Sequence, residues 1–380
     1  MPTLRLHSTI AEIDSAQWNL LAGTHSAPLR HEFFSALEAG ASVGPGTGWL
    51  PRYLSLHGDD GKLWGALPLF EKTDSRGEFI FDWDWAEALG SSGHEYYPKL
   101  VIAIPYTPIP GYRLLLGASA PAGTGTTLAQ GAMDYARERG LSSLHWLFHR
   151  PDESAILASC GHLARTGCHF RWVNANYQCF DDWLATLTAA RRKKIRRERR
   201  KTAEAGVRCI WIEGGDFSPR ILNTAYRLYA ANYRTHGMRP YLTREFFAEL
   251  CRRMPEAFVA CLAYRGTEVL AGALFLEDSE NLYGRYWGAF EWIDSLHFEV
   301  CYYQGIERAI ARKQHHFHPG IQGEHKLIRG FAPCLHYSSH WLRDAGLERA
   351  VRAYLEAEHR AVERYRRAAE AILPVHRVAP

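Results

Sequence analysis

Hydrophobic alternation and helical periodicity order the second half of the chain clearly. VRCIWIE (207–213) reads as a strand and SPRILNTAYRLYAANYRTH (218–236) as an amphipathic helix. TREFFAELCRRM (243–254) predicts a second helix, with Thr243 in N-cap position. Three strands follow at hairpin spacing: AFVACLAYR (257–265), EVLAGALFLE (268–277) and NLYGRYWGAF (281–290). Gly266-Thr267 and Asp278-Ser279-Glu280 supply the turns between them. Helical spacing resumes over 295–314, capped by Asp294 or Ser295, and a further strand is expected near 316. The final stretch predicts a long helix over 347–373, with apolar residues at 347, 351, 354, 355, 362 and 365 and charges elsewhere.

The first half is a looser echo. A strand is expected at 4–10, helices near 14–22 and 31–39, and strands near 51–57 and 62–72. A strand at 99–107, a helix at 125–139, a strand at 141–149 and a helix at 152–159 follow. A basic helix over 181–205 joins the halves. The order β-α-α-β-β-β-α-β in the second half is that of the GNAT acyltransferase fold. The expected class is therefore α/β (α+β), with tandem GNAT-like (acyl-CoA N-acyltransferase fold) domains and a long C-terminal helix. The expected boundaries are 1–178, a connecting helix 179–206, a second domain 207–346, and a C-terminal helix and tail 347–380. A length of 380 residues suits two domains.

Charge changes the picture more than composition does. The segment RRKKIRRERRK (191–201) holds nine basic residues and one acid, a local charge of +8 within a total of +4. Cations placed all round a helix cannot all face a core, so this patch suits phosphate or nucleic-acid contacts; the plainer alternative is a solvated linker helix. The eight Cys contain no CxxC pair, and no run of about 18 apolar residues occurs. MPTLRLHSTIAEID lacks an apolar signal-type core. A cytoplasmic protein with no membrane insertion is the expectation. HHFH (315–318) raises a metal site through His316 and His318, but no third ligand stands at useful spacing, and a polar strand end is preferred. No metal is expected.

Between Tyr283 and Phe331 the chain sets polar residues where a packed core would use Val, Ile and Leu. Burying such groups without partners is costly, so their density there points to a polar cleft. Glu299, Glu324, His297 and His325 are the candidate catalytic residues, since Glu or His can take a proton from an attacking amine. Arg285, Tyr286, Trp287, Tyr303, Gln304, Gln322, Lys326 and Arg329 are candidate substrate contacts. The competing reading is a hydrogen-bond network that locks the helix against the sheet. A secondary expectation puts Trp83 and Trp85 of GEFIFDWDWA on a wall for peptide or sugar, or simply in packing, with Trp83 and the nearby Tyr96 as candidate contacts.

The phrases HEFFSALE (31–38), GWLPRYL (48–54), GEFIFDWDWA (77–86) and YYPKLVIAIPYTPIPG (96–111) resemble those of the FemAB-like peptidoglycan biosynthesis/recognition family, a branch of the GNAT superfamily. LYGRYWG (282–288), LHFEVCYYQGI (296–306) and GIQGEHKLIRGFAP (320–333) carry the resemblance through the second half. It implies similarity to Fem ligases, which move an amino acid from aminoacyl-tRNA onto an amine. On that reading Arg191, Arg192, Lys194, Arg196, Arg197 and Arg200 contact tRNA, and the acceptor is an amine of a cell-wall precursor or small metabolite. Acetyl-CoA binders of this superfamily carry a Q/R-x-x-G-x-G/A loop before the central helix. Here the position reads GAFEWIDSLHFE, with Gly288 alone, so acetyl-CoA is not the expected donor and no cofactor is expected. The alternatives are an acyl-CoA-dependent N-acyltransferase and a non-catalytic binder of peptidoglycan or RNA.

Overall fold

The computed structural model describes residues 2–23, 26–235, 237–321 and 323–374, so Gln322 lies outside the described residues. Its backbone contacts divide the chain into two units, Met1–Cys168 with Leu335–Tyr365, and His169–Cys334 with Arg366–Pro380.

The first unit runs β1 (Thr3–His7), α1 (Ser15–Ala22), α2 (His31–Ala39), β2 (Trp49–Pro51), β3 (Tyr53–His57), β4 (Leu63–Leu67) and β5 (Leu69–Lys72). It continues through α3 (Trp83–Ser91), β6 (Lys99–Ile102), β7 (Leu115–Leu116), α4 (Thr124–Glu138), β8 (Ser143–His149) and α5 (Ser154–Ser159). One sheet has the order β1-β3-β4-β7, and β8-β6-β5-β2 form a run of a second. Small residues on one stripe of α4 (Ala129, Ala132, Ala136) let it settle onto Leu54, Leu100 and Trp146. The strand expected at 99–107 stops at Ile102. Pro105 cannot donate to a ladder, and Tyr106 turns the chain at φ +57 with its hydroxyl donating to Ser42 O (2.9 Å).

β9 (Leu163–Val173) leads into the second unit, followed by α6 (Phe180–Ala185) and α7 (Ala189–Glu204). The single basic helix expected at 181–205 is thus two helices. Thr186 Oγ1 donates to Trp183 O (2.7 Å), and Arg192 Nη1 donates to the carbonyls of Ala185 and Leu187, so the end of α6 is satisfied without α-continuation. Next come β10 (Val207–Glu213), α8 (Pro219–Thr235), α9 (Arg244–Arg253), β11 (Phe258–Arg265), β12 (Glu268–Glu277) and β13 (Asn281–Ala289). Thr243 caps α9 as expected, accepting from Phe246 N. The following helix opens as α10 (Leu296–Phe298), passes through one π-helical turn at Glu299–Tyr303, and continues as α11 (Gln304–Ala311). Ser295 stands at its N-cap with φ 69 and no side-chain bond to the helix, so neither expected cap forms. β14 (His316–His318) and a 3-10 turn at Glu324–Arg329 complete this unit. β15 (Ala332–Leu342) and α12 (Ala345–Ala371) then return the chain to the first. The residues expected to form a separate C-terminal helix therefore belong, up to Tyr365, with the first unit.

Strand order in the second unit is β10-β11-β12-β13-β14-β9, antiparallel except for the β13–β14 pair. Leu282, Phe317 and Trp172, adjacent across β13, β14 and β9, all enter the apolar cluster beneath the helix. Alternation turns Tyr283, His318 and Arg171 to the opposite face. Arg285 is the extra residue of a bulge in β13, since Leu274 pairs with Tyr286 and Phe275 with Gly284. Gly288 has a packing reason: a side-chain carbon there would lie 1.9 Å from Leu228 O of α8.

Candidate functional site

The second unit gathers four of the expected residues around His297. Its imidazole packs against Trp287 (5.1 Å between centroids), Tyr302 (5.3 Å) and His325 (5.9 Å). The Tyr302 hydroxyl and His325 Nε2 are 2.7 Å apart, which anchors His325; His297 has no hydrogen bond among the described residues. Burial, reinforced by His325, Arg329 and Lys326, pushes the His297 imidazole down to about 4, so it is neutral at pH 7. His325 is lowered in the same sense by burial and then by Lys326 and Arg329. Lys326 is buried, donates Nζ–H to Gly320 O (2.7 Å), and is pushed down to about 7 by desolvation.

Arg329 holds this group in place. Its Nη2 reaches both oxygens of Glu198 on α7 (3.0 and 3.1 Å), and Nε donates to Tyr303 Oη (3.0 Å). Its Nη1 donates to His325 O (2.9 Å), and the guanidinium lies 3.4 Å over the Phe298 ring. Tyr303 in turn donates to Glu198. Arg329 and Tyr303 are therefore fully engaged inside the unit, and they position the site rather than line it.

The other expected residues face elsewhere. Glu299 is buried against Arg199 (3.0 and 3.1 Å), and Gln304 Nε2 donates to Glu299 (2.9 Å) and Glu307 (3.2 Å). Glu299 and Gln304 line a cavity of about 370 Å³ with Arg199, Arg200, Thr202 and Cys209. Tyr286 stands with Tyr229 (4.8 Å) and Phe247 (5.9 Å), and the Arg285 guanidinium rests 5.0 Å over its ring. Glu324 is exposed at the start of the 3-10 turn. In the first unit, Trp83 is 54% exposed and stacks on Phe81 (4.2 Å). Tyr96 is buried, donating to Asp82 (2.6 Å) beside His145 (3.1 Å), with Lys99 ion-paired to Asp82 and Glu78. Tyr96 thus belongs to a buried network and not to an open wall. Glu299→Gln should act on stability: it weakens a half-buried charged hydrogen-bond set worth about 2 kcal/mol, or roughly 5 °C in calorimetry. Turnover measured below the transition should stay within a few-fold of wild type.

On α7 the seam Ile195, Glu198 and Thr202 is buried, while Lys193, Lys194, Arg196, Arg197, Arg200 and Lys201 are exposed. Of the cations expected to meet tRNA, Arg191 and Arg192 are half-buried, and Arg192 spends its donors on the end of α6. Arg196 pairs with Asp181 (3.2 Å) and Arg200 with Glu204 (3.5 Å), both in solvent. Sequence reading missed Tyr302, Phe298 and Glu198 as parts of the site. Tyr302 gave no local signal, since i, i+5 residues do not share a face of a regular α-helix and only the π turn brings it beside His297. Among the described residues, no group of three or more His, Cys, Asp or Glu is placed to hold a metal, and no helix is long and apolar enough to cross a membrane.

Fold and strand order define a tandem GNAT-type protein. A solved tandem GNAT protein from the clavulanic acid biosynthesis pathway matches over 90% of this chain and 98% of its own, at 11% identity and TM-score 0.50. The chain belongs to the FemAB-like family, described as peptidoglycan biosynthesis/recognition, which matches residues 9–377. Its fold is the one that GNAT-like proteins share. FemX is similar in structure over 92% of this chain and 100% of its own (11% identity, TM-score 0.53). So is the C-terminal domain of a putative lysylphosphatidylglycerol synthetase from Agrobacterium fabrum, over 93% and 97% (9% identity, TM-score 0.55). No protein of curated function matches the chain.

Proposed function

We propose that this protein transfers an aminoacyl group from a charged tRNA to an amine of a cell-wall precursor or small metabolite, forming an amide. One observation carries it: α7 displays its cations outward, while Glu198 on its inner face grips Arg329, which holds the backbone of His325. A surface suited to phosphates is thereby wired to a neutral imidazole pair. The amine nitrogen attacks the ester carbonyl; a C–N bond forms and the bond to the ribose oxygen breaks. His297 takes the amine proton and returns it to the departing hydroxyl. FemX and the putative lysylphosphatidylglycerol synthetase share the fold, and the second is named for a product that carries lysine on a phospholipid.

The loop where acetyl-CoA binders of this superfamily cradle pyrophosphate supports the same donor. Here it carries Glu291, paired with Arg265, and Asp294, paired with Lys201, in place of a row of free backbone donors. The test is to incubate the full chain with tRNA charged with radiolabelled amino acids and a panel of amino sugars and peptidyl precursors. Label should move into a base-stable amide and fail to move after ribonuclease treatment. Transfer from acetyl-CoA without RNA would overturn the proposal.

Reversing Lys193, Lys194, Arg196 and Arg197 to Glu should weaken tRNA binding at least ten-fold. Each lost phosphate contact should flatten the salt slope by about 0.9. Filter binding at several salt concentrations measures both, and an unchanged slope would reduce α7 to a linker.

A further inference from the structure

Away from His297, the second unit keeps polar atoms that no described residue satisfies. They lie on the sheet face opposite the apolar cluster. The β14–β9 register pairs His316 with Val173 and Phe317 with Trp172, so one further step sets His318 beside Arg171. Parallel pairing with β13 flanks His318 with Tyr283, their rings stacked 5.2 Å apart. Arg171 Nε and the Nδ1 atoms of His316 and His318 are closed off from solvent and have no hydrogen-bond partner among the described residues. Leaving such atoms unmet is costly, so three of them close together call for a missing partner.

The chemistry of the set selects that partner. The guanidinium offers N–H donors and a fixed positive charge, which disfavours a metal cation, and each neutral imidazole can turn an N–H toward an acceptor. Burial and then the nearby Arg171 keep His316 down, to about 4, and among its neighbours Glu280 acts in the opposite sense. His318 is held well down by burial first, then by His169, Arg171 and His316. A negative group placed among them would satisfy the orphaned donors and draw protons onto the imidazoles.

We propose that Arg171, His316 and His318 form a subsite for an anionic group, a carboxylate or phosphate, of a small-molecule ligand. Taking that ligand to be the amine acceptor, held by its negative end, rests on the transfer function proposed above; the anion site does not.

The test uses the full chain without RNA. Inorganic phosphate, pyrophosphate and N-acetylalanine are titrated separately by calorimetry into wild type, Arg171→Gln and His318→Gln. Wild type should bind at least one of the three at millimolar concentration, phosphate compounds or N-acetylalanine revealing which group the site takes. Each substitution should weaken that binding about ten-fold, the loss of roughly one charged hydrogen bond. Circular dichroism should show both variants folded, with thermal stability close to wild type, since Gln keeps a polar side chain of similar or smaller size at each position. Should either fail to fold, His316→Asn replaces it in the same titration. Absence of binding by all three probes, or binding unchanged in the folded variants, overturns the site. A failure of RNA-dependent transfer leaves this site standing, and a failure to bind anions leaves the transfer function standing.

Discussion

His297→Gln should lower aminoacyl transfer by about 10²–10⁴-fold while the protein melts within a degree or two of wild type. Among the described residues His297 has no hydrogen bond to lose, and its neighbours Trp287, Tyr302 and His325 touch it through ring faces and edges. Gln keeps polarity and most of the volume but cannot accept a proton at neutral pH. Single-turnover transfer from charged tRNA, with tRNA affinity measured in parallel, separates chemistry from binding. His325→Gln should be milder, because Tyr302 already occupies its Nε2. Full activity in His297→Gln would remove it from the chemistry. His297 is pushed down to about 4, so it stays neutral throughout pH 6–8, and its own titration should leave no inflection in the rate across that window.

Arg329→Met should be the most destabilising single change in the second unit. Arg329 and Glu198 are 3% and 8% exposed, and removing the cation leaves a buried carboxylate facing the Tyr303 hydroxyl. Breaking a buried pair in this way typically costs about 3–5 kcal/mol, or roughly 10 °C in a unit of this size. Adding Glu198→Leu should recover much of the loss, because two apolar side chains leave no orphaned charge. Activity should not return with it, since His325 O has lost the guanidinium that fixed it. Recovery of both stability and turnover in the double variant would show that Arg329 contributes only to folding.

Much of the second unit was legible because alternation and turn chemistry agree. EVLAGALFLE is a strand over Glu268–Glu277, and Thr243 caps its helix. β9 and β15 were not foreseen. LARTGCHFRWV and APCLHYSSHWL set Arg and His on one face, and only the neighbouring strands reveal that Phe170 and Trp172 are buried on the other. The break at 186–188 was hidden because Thr-Leu-Thr, just ahead of the charge run, contains neither Gly nor Pro to mark where a helix stops. Within the site, His297 and His325 were found by their density of chemistry. Glu299 was grouped with them although residues two apart on a helix point to different sides, and it meets Arg199 instead. The Arg329–Glu198 link joins residues 131 apart in the chain, which no local pattern can signal.

The widened turn at Glu299–Tyr303 has a bearing on which sequence changes the family can accept. A π turn holds one residue more than an α turn of the same span, and each helical residue carries about 100° of rotation. Deleting a single position there would let the helix relax to ordinary pitch and swing one half by that angle against the other. Tyr302 would then leave His325, or Glu299 would leave Arg199, with no side chain altered at either place. Function in this segment thus depends on residue count as well as residue identity. Substitutions should be tolerated across 299–303 far more often than gaps.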